Sequence, residues 1–366
     1  MTMDRNKQSA AIIIPALDPD AKMAAYVEEL IEAGFDRIIL VNDGSDEEHS
    51  KVFDDLKSHQ ECVVLRHVIN LGKGRGLKNA FNYFLGMDDV NKYCGVITVD
   101  SDGQHTVADV LKIATKMQNN SDEHRDSLVL GCRNFDLSHV PFKSRYGNKI
   151  TIATFRLLHG VKLSDTQTGL RGIPTSLIPA YIDLAGERFE YETNMLIVSA
   201  RSGIGITEVP IETVYMDNNA GTHFNPFRDS VAIYKLLFGT FFKYILSSLS
   251  SFVIDIALFQ FVLMLTKGGS LGEAKAILVS TVVARVFSSM YNYLINRNIV
   301  FHSSSNSAAS LIEYYILCVL QMACSAGLVV VFYNILGIPE TVVKLIVDFV
   351  LFLFSYQIQK RFIFKR

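Results

Sequence analysis

The densest run of chemistry-bearing residues is Asp100-Ser-Asp-Gly-Gln-His105, which follows the apolar stretch Gly95–Val99. Alternate residues of an extended chain point the same way, so the Asp100 and Asp102 carboxylates and the Gln104 amide can face one hard cation. An all-oxygen set of this kind suits Mg²⁺ or Mn²⁺, which share their remaining positions with phosphates. In Ile39-Leu-Val-Asn-Asp-Gly-Ser-Asp46, Asp43 can accept from a base edge, or Asp43 or Ser45 can cap a helix. Asn70-Leu-Gly-Lys-Gly-Arg-Gly76 has glycines at alternate positions, which lets backbone approach a ligand while Lys73 or Arg75 meets phosphate. It lacks the spacing of a P-loop. Arg133, Arg145 and Arg171 carry forked guanidinium donors, suited to phosphate or to a solvated surface. Asp165, at the head of Asp165-Thr-Gln-Thr-Gly-Leu-Arg171, can orient a reacting group, receive a proton, or serve as a turn carboxylate.

These segments sit in a regular alternation. Ala11–Ile14, Ile38–Val41, Val63–Leu65, Val96–Val99 and Leu128–Leu130 read as buried strands. Lys22–Ala33, Glu47–Leu56, Gly76–Leu85, Val107–Met117 and Tyr146–His159 read as helices. The rhythm predicts an α/β, Rossmann-like, mostly parallel sheet covered on both faces. Ligands of such sheets bind beyond the C-terminal strand ends, where each motif above falls.

The second half is different. Apolar runs at about 244–265, 276–295, 314–336 and 342–358 each approach the roughly 20 residues that cross a hydrocarbon core, so four spans are expected. The chain of 366 residues is 49% apolar and 20% charged, which excludes a disordered polymer and an ordinary soluble enzyme. A net charge of −2 argues against a nucleic-acid partner. From Phe241 onward ten Lys/Arg face five Asp/Glu, leaving the acidic excess to the first half. Arg297 and the tail Lys360, Arg361, Lys365 and Arg366 favour a cytoplasmic first domain and cytoplasmic termini in a cell membrane, an arrangement that the polar start, Met1–Ala10, also fits. The five irregularly spaced cysteines define neither a zinc site nor a disulfide framework.

Tyr293-Leu-Ile-Asn-Arg-Asn-Ile-Val-Phe301 echoes Tyr356-Gln-Ile-Gln-Lys-Arg-Phe-Ile-Phe364, which predicts two related hairpins joined by a flexible Ser303–Ser310 link. Asp255, Arg285 and Asp348 fall near mid-span. Charges there tend to pair or to line a polar path, and an Asp255–Arg285 contact that could include Asp348 is expected. The resulting division is 1–224, an interfacial helix at 225–240 with Phe227, Val231, Tyr234 and Phe238 on one face, and 241–366.

Residues 11–230 resemble the family 2 glycosyltransferases that load sugars onto polyprenyl phosphates, among them dolichol-phosphate mannose synthases and bacterial undecaprenyl-phosphate glycosyltransferases. The matching residues are Ile14-Pro15, Val41-Asn-Asp-Gly-Ser45, Asn70-Leu-Gly-Lys-Gly74, Asp100-Ser-Asp-Gly-Gln-His105, Gly131-Cys-Arg133, Asp165-Thr-Gln-Thr-Gly-Leu-Arg171 and Asn219-Ala-Gly-Thr-His-Phe224. Residues 241–366 resemble the four-span GtrA-like domain through the two Tyr…Phe repeats. The resemblance implies a GT-A fold and inverting transfer of a hexose from a nucleotide sugar, UDP-glucose first and UDP-N-acetylglucosamine or GDP-mannose next, to polyprenyl (undecaprenyl) phosphate. It implies nucleoside contacts from Pro15, Val41 and Asp43, and Mg²⁺ or Mn²⁺ on Asp100, Asp102 and Gln104. The lipid phosphate falls to Arg133 and Arg145, with Arg171 in the same arginine set, and Asp165 matches the carboxylate proposed as base. Where the family has Tyr-Asn-Glu after its first proline this chain has Leu17-Asp18-Pro19, so Asp18 or Asp20 is the candidate substitute, and Asn42 replaces the first acid of Asp-Asp-Gly-Ser. The competing class is a lipid-linked-sugar translocase or scaffold with an inactive transferase half. The basic tail and paired hairpins permit a homo-oligomer.

Overall fold

The computed structural model describes residues 8–136, 142–212, 228–266, 272–336 and 339–364. The motif Asn219–Phe224, the start of the 225–240 segment and the basic residues Lys365 and Arg366 lie outside them. The chain forms two compact units, Met1–Leu237 and Phe238–Arg366.

The first unit is built on strands β1 (Ala10–Ala16), β2 (Ile38–Asp43), β3 (Cys62–His67), β4 (Gly95–Thr98), β5 (Ser127–Cys132), β6 (Arg171–Pro174) and β7 (Gly205–Pro210) in the order β3-β2-β1-β4-β6-β5-β7. Every residue of β1 and β2 is buried, as expected of strands covered on both faces. Pro15 is tolerated inside β1 because it falls beyond the last β1–β4 pair, Ile13↔Thr98, where no further donor is required. Between the strands run α1 (Lys22–Glu32), α2 (Glu47–Leu56), α3 (Lys73–Leu85), α4 (Val107–Asp122) and α5 (Phe142–His159), followed by a short α6 (Ile178–Ile182) and α7 (Glu190–Ser202). Asp46 caps α2 by accepting from His49 N at 2.9 Å, and Thr106 caps α4 by accepting from Asp109 N at 3.2 Å. The fold is a mostly parallel α/β sheet of GT-A type.

The sequence reading contained neither β6 nor β7, nor α6 and α7, and it began α3 too late. Helix α3 begins at Lys73, three residues earlier than predicted, because Gly72 (φ +101°) turns the chain directly into the helix. Strand β6 is antiparallel to both β4 and β5 and follows the Asp165–Arg171 motif. Its four residues, Arg-Gly-Ile-Pro, include a single branched apolar side chain and so form no apolar run.

The second unit holds most of α8 (Arg228–Thr266) and all of α9 (Glu273–Ile295), α10 (Ser307–Leu336) and α11 (Glu340–Ile358). All four are long and apolar enough to cross a membrane. The expected interfacial segment and first span are one uninterrupted helix, since no proline interrupts Arg228–Thr266. Its buried positions in the first unit are Asp229, Ile233 and Leu237, whereas Val231, expected on the apolar face, is exposed.

The repeated motif is visible in three dimensions. After α9 and α11 the helix widens by one residue, with Phe301 N donating to Asn296 O at 2.9 Å and Phe364 N to Gln359 O at 2.7 Å. The two copies meet through their equivalent residues. Asn296 Nδ2 donates to Gln359 Oε1 at 3.0 Å in the interior, and the Phe301 and Phe364 rings stack 5.5 Å apart. Tyr244 packs on Tyr356 as Tyr314 packs on Tyr293. The serine-rich link is tied down: Arg297 donates to Ser305 O at 2.8 Å and accepts at its own carbonyl from Ser303 N at 2.9 Å.

Arg285 lies 3.6 Å from Asp255, which also accepts from Ser288 Oγ at 2.7 Å. Asp348 takes different partners, Lys344 at 2.9 Å and Ser325 Oγ at 2.5 Å. The repeat explains the separation. Arg285 stands eight residues before Tyr293 and Asp348 eight before Tyr356, while Asp255 and Ser325 each stand eleven after Tyr244 and Tyr314. The expected three-residue cluster is therefore two equivalent polar pairs, one per hairpin.

Candidate active site at the strand ends

Asp100 leaves β4 two residues past its end and meets Lys73 and His105. Its Oδ1 lies 2.6 Å from Lys73 Nζ at the start of α3, and its Oδ2 lies 3.3 Å from His105 Nε2. Lys73 reaches on to Glu192 Oε2 in α7, 2.9 Å away. Burial would raise the Asp100 carboxyl, but the Lys73 ammonium and the His105 ring outweigh it and hold it well below the usual carboxylate range. Asp102 is shifted the other way, up, by burial and by the neighbouring Asp100 charge, although its Oδ1 accepts from Gln104 N at 3.1 Å. The two acids therefore hold protons differently. Burial works against the Lys73 charge, yet Asp100 and Glu192 raise its affinity for the proton.

The Asp165–Arg171 motif is laid directly against this corner. Thr98 Oγ1 donates to Gly169 O at 2.8 Å, and a Cβ at Gly169 would press on the Asp100 carboxylate and displace it. Asp100 and Asp102 are oxygen donors of the kind that suits a hard divalent cation, and the two Asp100 oxygens are met here by Lys73 and His105. Among the described residues, Asp18, Asp46 and His49 also bring ligand atoms within 4.8 Å of one another. Their contacts are those of a helix cap: Asp46 binds His49 at both N and Nδ1, and Asp18 Oδ1 accepts from Asp46 N at 3.0 Å.

A cleft beside Asp100 is lined by Pro15, Asp18's neighbour Leu17, Asp43, Gly72, Lys73, Asp102, Arg188 and Phe189. Asp43 ends β2 and holds the glycine-rich loop in place. Its oxygens accept from Leu71 N and Gly72 N, both at 2.8 Å, and from His67 Nδ1 at 2.7 Å, while His67 Nε2 meets Asn79. Asp18 N donates to Ser45 Oγ at 2.9 Å, which ties the residue after Leu17 to the Asp43 turn. Val41 is fully buried beside Pro15 on the neighbouring strand, and both side chains face Gly76 of α3.

A second cluster gathers the arginines. Asp165, fully buried, accepts from Arg133 Nε at 2.7 Å and Nη2 at 3.3 Å, from Arg133 N at 3.4 Å, and from Gln167 N at 2.9 Å. Glu208 of β7 steadies the approach to Asp165 by accepting from Ser164 N and Oγ at 2.5 and 2.9 Å. The Arg133 guanidinium lies over the Phe135 ring, whose backbone carbonyl accepts from Arg145 Nε at 3.0 Å. Arg171, expected with these two, is only 1% exposed and lies in the interior, donating to Thr168 O at 2.9 Å and Glu192 O at 2.6 Å.

Sequence reasoning missed His67, Arg188, Phe189 and Glu192. His67 ends β3 just ahead of the glycine-rich run, Arg188, Phe189 and Glu192 sit in no glycine-rich or strand-end motif, and Glu192 faces Lys73 only because α7 packs near α3. The histidine that closes Asp-Ser-Asp-Gly-Gln-His was in view without a role.

Residues 11–156 match glycosyl transferase family 2, and residues 243–364 match the GtrA/DPMS transmembrane domain. The chain is 29% identical over 248 residues to a UDP-N-acetylglucosamine–dolichyl-phosphate N-acetylglucosaminyltransferase of Methanococcus voltae, covering 62% of this chain and 94% of that protein. It is 25% identical over 234 residues to the glycosyltransferase AglJ of Haloferax volcanii, covering 63% and 71%. Among solved structures, mannosyl-3-phosphoglycerate synthase from Rubrobacter xylanophilus aligns with a TM-score of 0.43 at 14% identity, over 62% of this chain and 70% of the other. The strand-end residues Asp43, Lys73 and Asp100 thus lie in a region that matches glycosyl transferase family 2, and the four long apolar helices lie largely in one that matches the GtrA/DPMS transmembrane domain.

Proposed function

We propose that the protein transfers a hexose from a nucleoside diphosphate sugar to the phosphate of a polyprenyl lipid, at the cytoplasmic face of the cell membrane. The observation that carries this reading is the joining, in one chain, of a charged strand-end cleft at Lys73 and Asp100 to four helices of membrane-spanning length. The basic residues Arg297, Lys360 and Arg361 support cytoplasmic termini.

The nucleoside lies against Pro15 and the Asp43 turn, with Asp18 at its edge and Val41 beside Pro15. The diphosphate meets Lys73 and the first amides of α3, whose N-terminus favours an anion. Asp100, Asp102 and Gln104 would hold Mg²⁺ or Mn²⁺, which would neutralise the departing diphosphate. Arg133 and Arg145, anchored together on Phe135, receive the acceptor phosphate. The transfer is a single in-line displacement at the anomeric carbon: the lipid phosphate oxygen bonds to that carbon as the bond to the diphosphate oxygen breaks. A phosphate monoester has its second pKa near 6, so the nucleophile is largely anionic at neutral pH and needs little base help. Asp165, already accepting three bonds from Arg133, acts by fixing that guanidinium. The protein's contribution is to hold two anions together in attacking geometry.

The Methanococcus voltae relative names UDP-N-acetylglucosamine, and UDP-glucose is the donor favoured by the sequence resemblance. The full chain in detergent, given polyprenyl phosphate, Mg²⁺ or Mn²⁺ and in turn UDP-N-acetylglucosamine, UDP-glucose and GDP-mannose, is expected to yield a lipid-phosphate hexose by mass spectrometry with one UDP-sugar. Absence of lipid-linked product from every donor overturns the proposal and favours the translocase or scaffold reading.

A further inference from the structure

The Asp100 carboxylate is claimed twice. In the function proposed above, on which this inference rests, one of its oxygens serves a divalent cation. In the structure Oδ1 is bound by Lys73 Nζ at 2.6 Å. That ammonium has a second seat, Glu192 Oε2 at 2.9 Å, and the Glu192 side is braced by Arg171, whose Nη1 donates to Glu192 O at 2.6 Å and whose Nε stands 4.0 Å from Glu192 Oε1. The result is a row of alternating charge, Asp100–Lys73–Glu192–Arg171. Lys73 is the member with freedom to move: it is the first residue of α3, on a flexible four-carbon stem, whereas Arg171 is fixed in β6.

An ammonium and a divalent cation repel each other when they share one carboxylate in a site of reduced dielectric. We infer that Lys73 is a movable counter-ion that competes with the divalent cation for Asp100 and is drawn off by the nucleotide diphosphate. Glu192 holds the lysine close during the exchange, as it swings between the acid of β4 and the incoming phosphates. The cation and the nucleotide therefore help one another to bind, and by linkage the effect is reciprocal. A site with this property holds little free metal in the absence of donor sugar.

The test is Mn²⁺ binding to the full-length protein in detergent, followed by electron paramagnetic resonance, with and without UDP. Lys73→Met keeps the length of the side chain and removes the competitor. It is expected to tighten Mn²⁺ binding without nucleotide by tenfold or more and to shrink the enhancement by UDP. Glu192→Gln removes the second seat, leaves Lys73 to Asp100 alone, and is expected to weaken Mn²⁺ binding without nucleotide by a few-fold. Opposite signs from two neutralising substitutions in one network are not produced by loss of folding, which weakens both. If Mn²⁺ binds the parent and is lost in Asp102→Asn, yet Lys73→Met leaves nucleotide-free binding unchanged or weaker, the counter-ion inference is wrong and the cation site stands. If Mn²⁺ binding with UDP survives in Asp102→Asn, the cation site of the proposed function fails, and the inference with it.

Discussion

The two units of this molecule handle charge in opposite ways. At the strand ends, Lys73, Asp100, Glu192 and Arg171 come from four separate stretches of the chain and are brought within ion-pair reach by the sheet order. In the helical unit, polar groups meet partners on the neighbouring helix or the repeated copy, as in Asp255 with Arg285, Asp348 with Ser325, and Asn296 with Gln359. The first arrangement concentrates unlike charges where a cleft opens, and a charged ligand can trade places with a side chain. The second satisfies polar groups where water is scarce, and its members are spent on one another. A buried polar group thus signals chemistry only where a ligand can replace its partner.

Four experiments probe this contrast. Asp100→Asn should have the largest effect, cutting sugar transfer by about 10³-fold, the scale of losing a main electrostatic contact to the developing charge; nucleotide release and lipid product are the readouts. Asp165→Asn should cost less, about 10²-fold, because Arg133 loses its two-pronged anchor. Its pH–rate profile should keep the parent shape, and a far larger loss rescued by raising pH would instead make Asp165 a base. In the helical unit the effects should be on assembly. Asn296→Leu leaves the buried Gln359 amide without its partner and should destabilise by about 1–2 kcal/mol, with much of this recovered in the Asn296→Leu/Gln359→Leu pair. Thermal unfolding in detergent measures it, and failure of the double change to recover stability would undo the claim that the repeats meet through this pair. The smallest effect is expected for the coupling of Asp255 and Arg285, about 0.6 kcal/mol in a double-mutant cycle, since such pairs in membranes are individually weak.

The candidate site was legible in part because its motifs follow apolar strands. Asp43, Asp100 and Arg133 all leave strand ends, as the alternation of short apolar runs and helical patterns implied. Four spans and the hairpin repeat could be read for a similar reason: length and recurrence are properties of a single stretch. Arg171 shows the limit. It shares a motif with Asp165, yet the motif continues into the antiparallel β6, and the guanidinium turns into the interior while Asp165 turns to Arg133. Asp348 shows another, because mid-span depth does not tell which helix supplies the partner.

The sequence by itself determined five of the seven strands, which helices suit a membrane, and which residues stand at the tips of those strands. These follow from periodicity, run length and turn chemistry, all read within about twenty residues. Only the tertiary structure decided that Glu192 would face Lys73, that Gly169 would press on Asp100, and that the two Tyr…Phe repeats would close on each other. Those contacts depend on strand order and helix packing, which bring together residues that no local pattern relates.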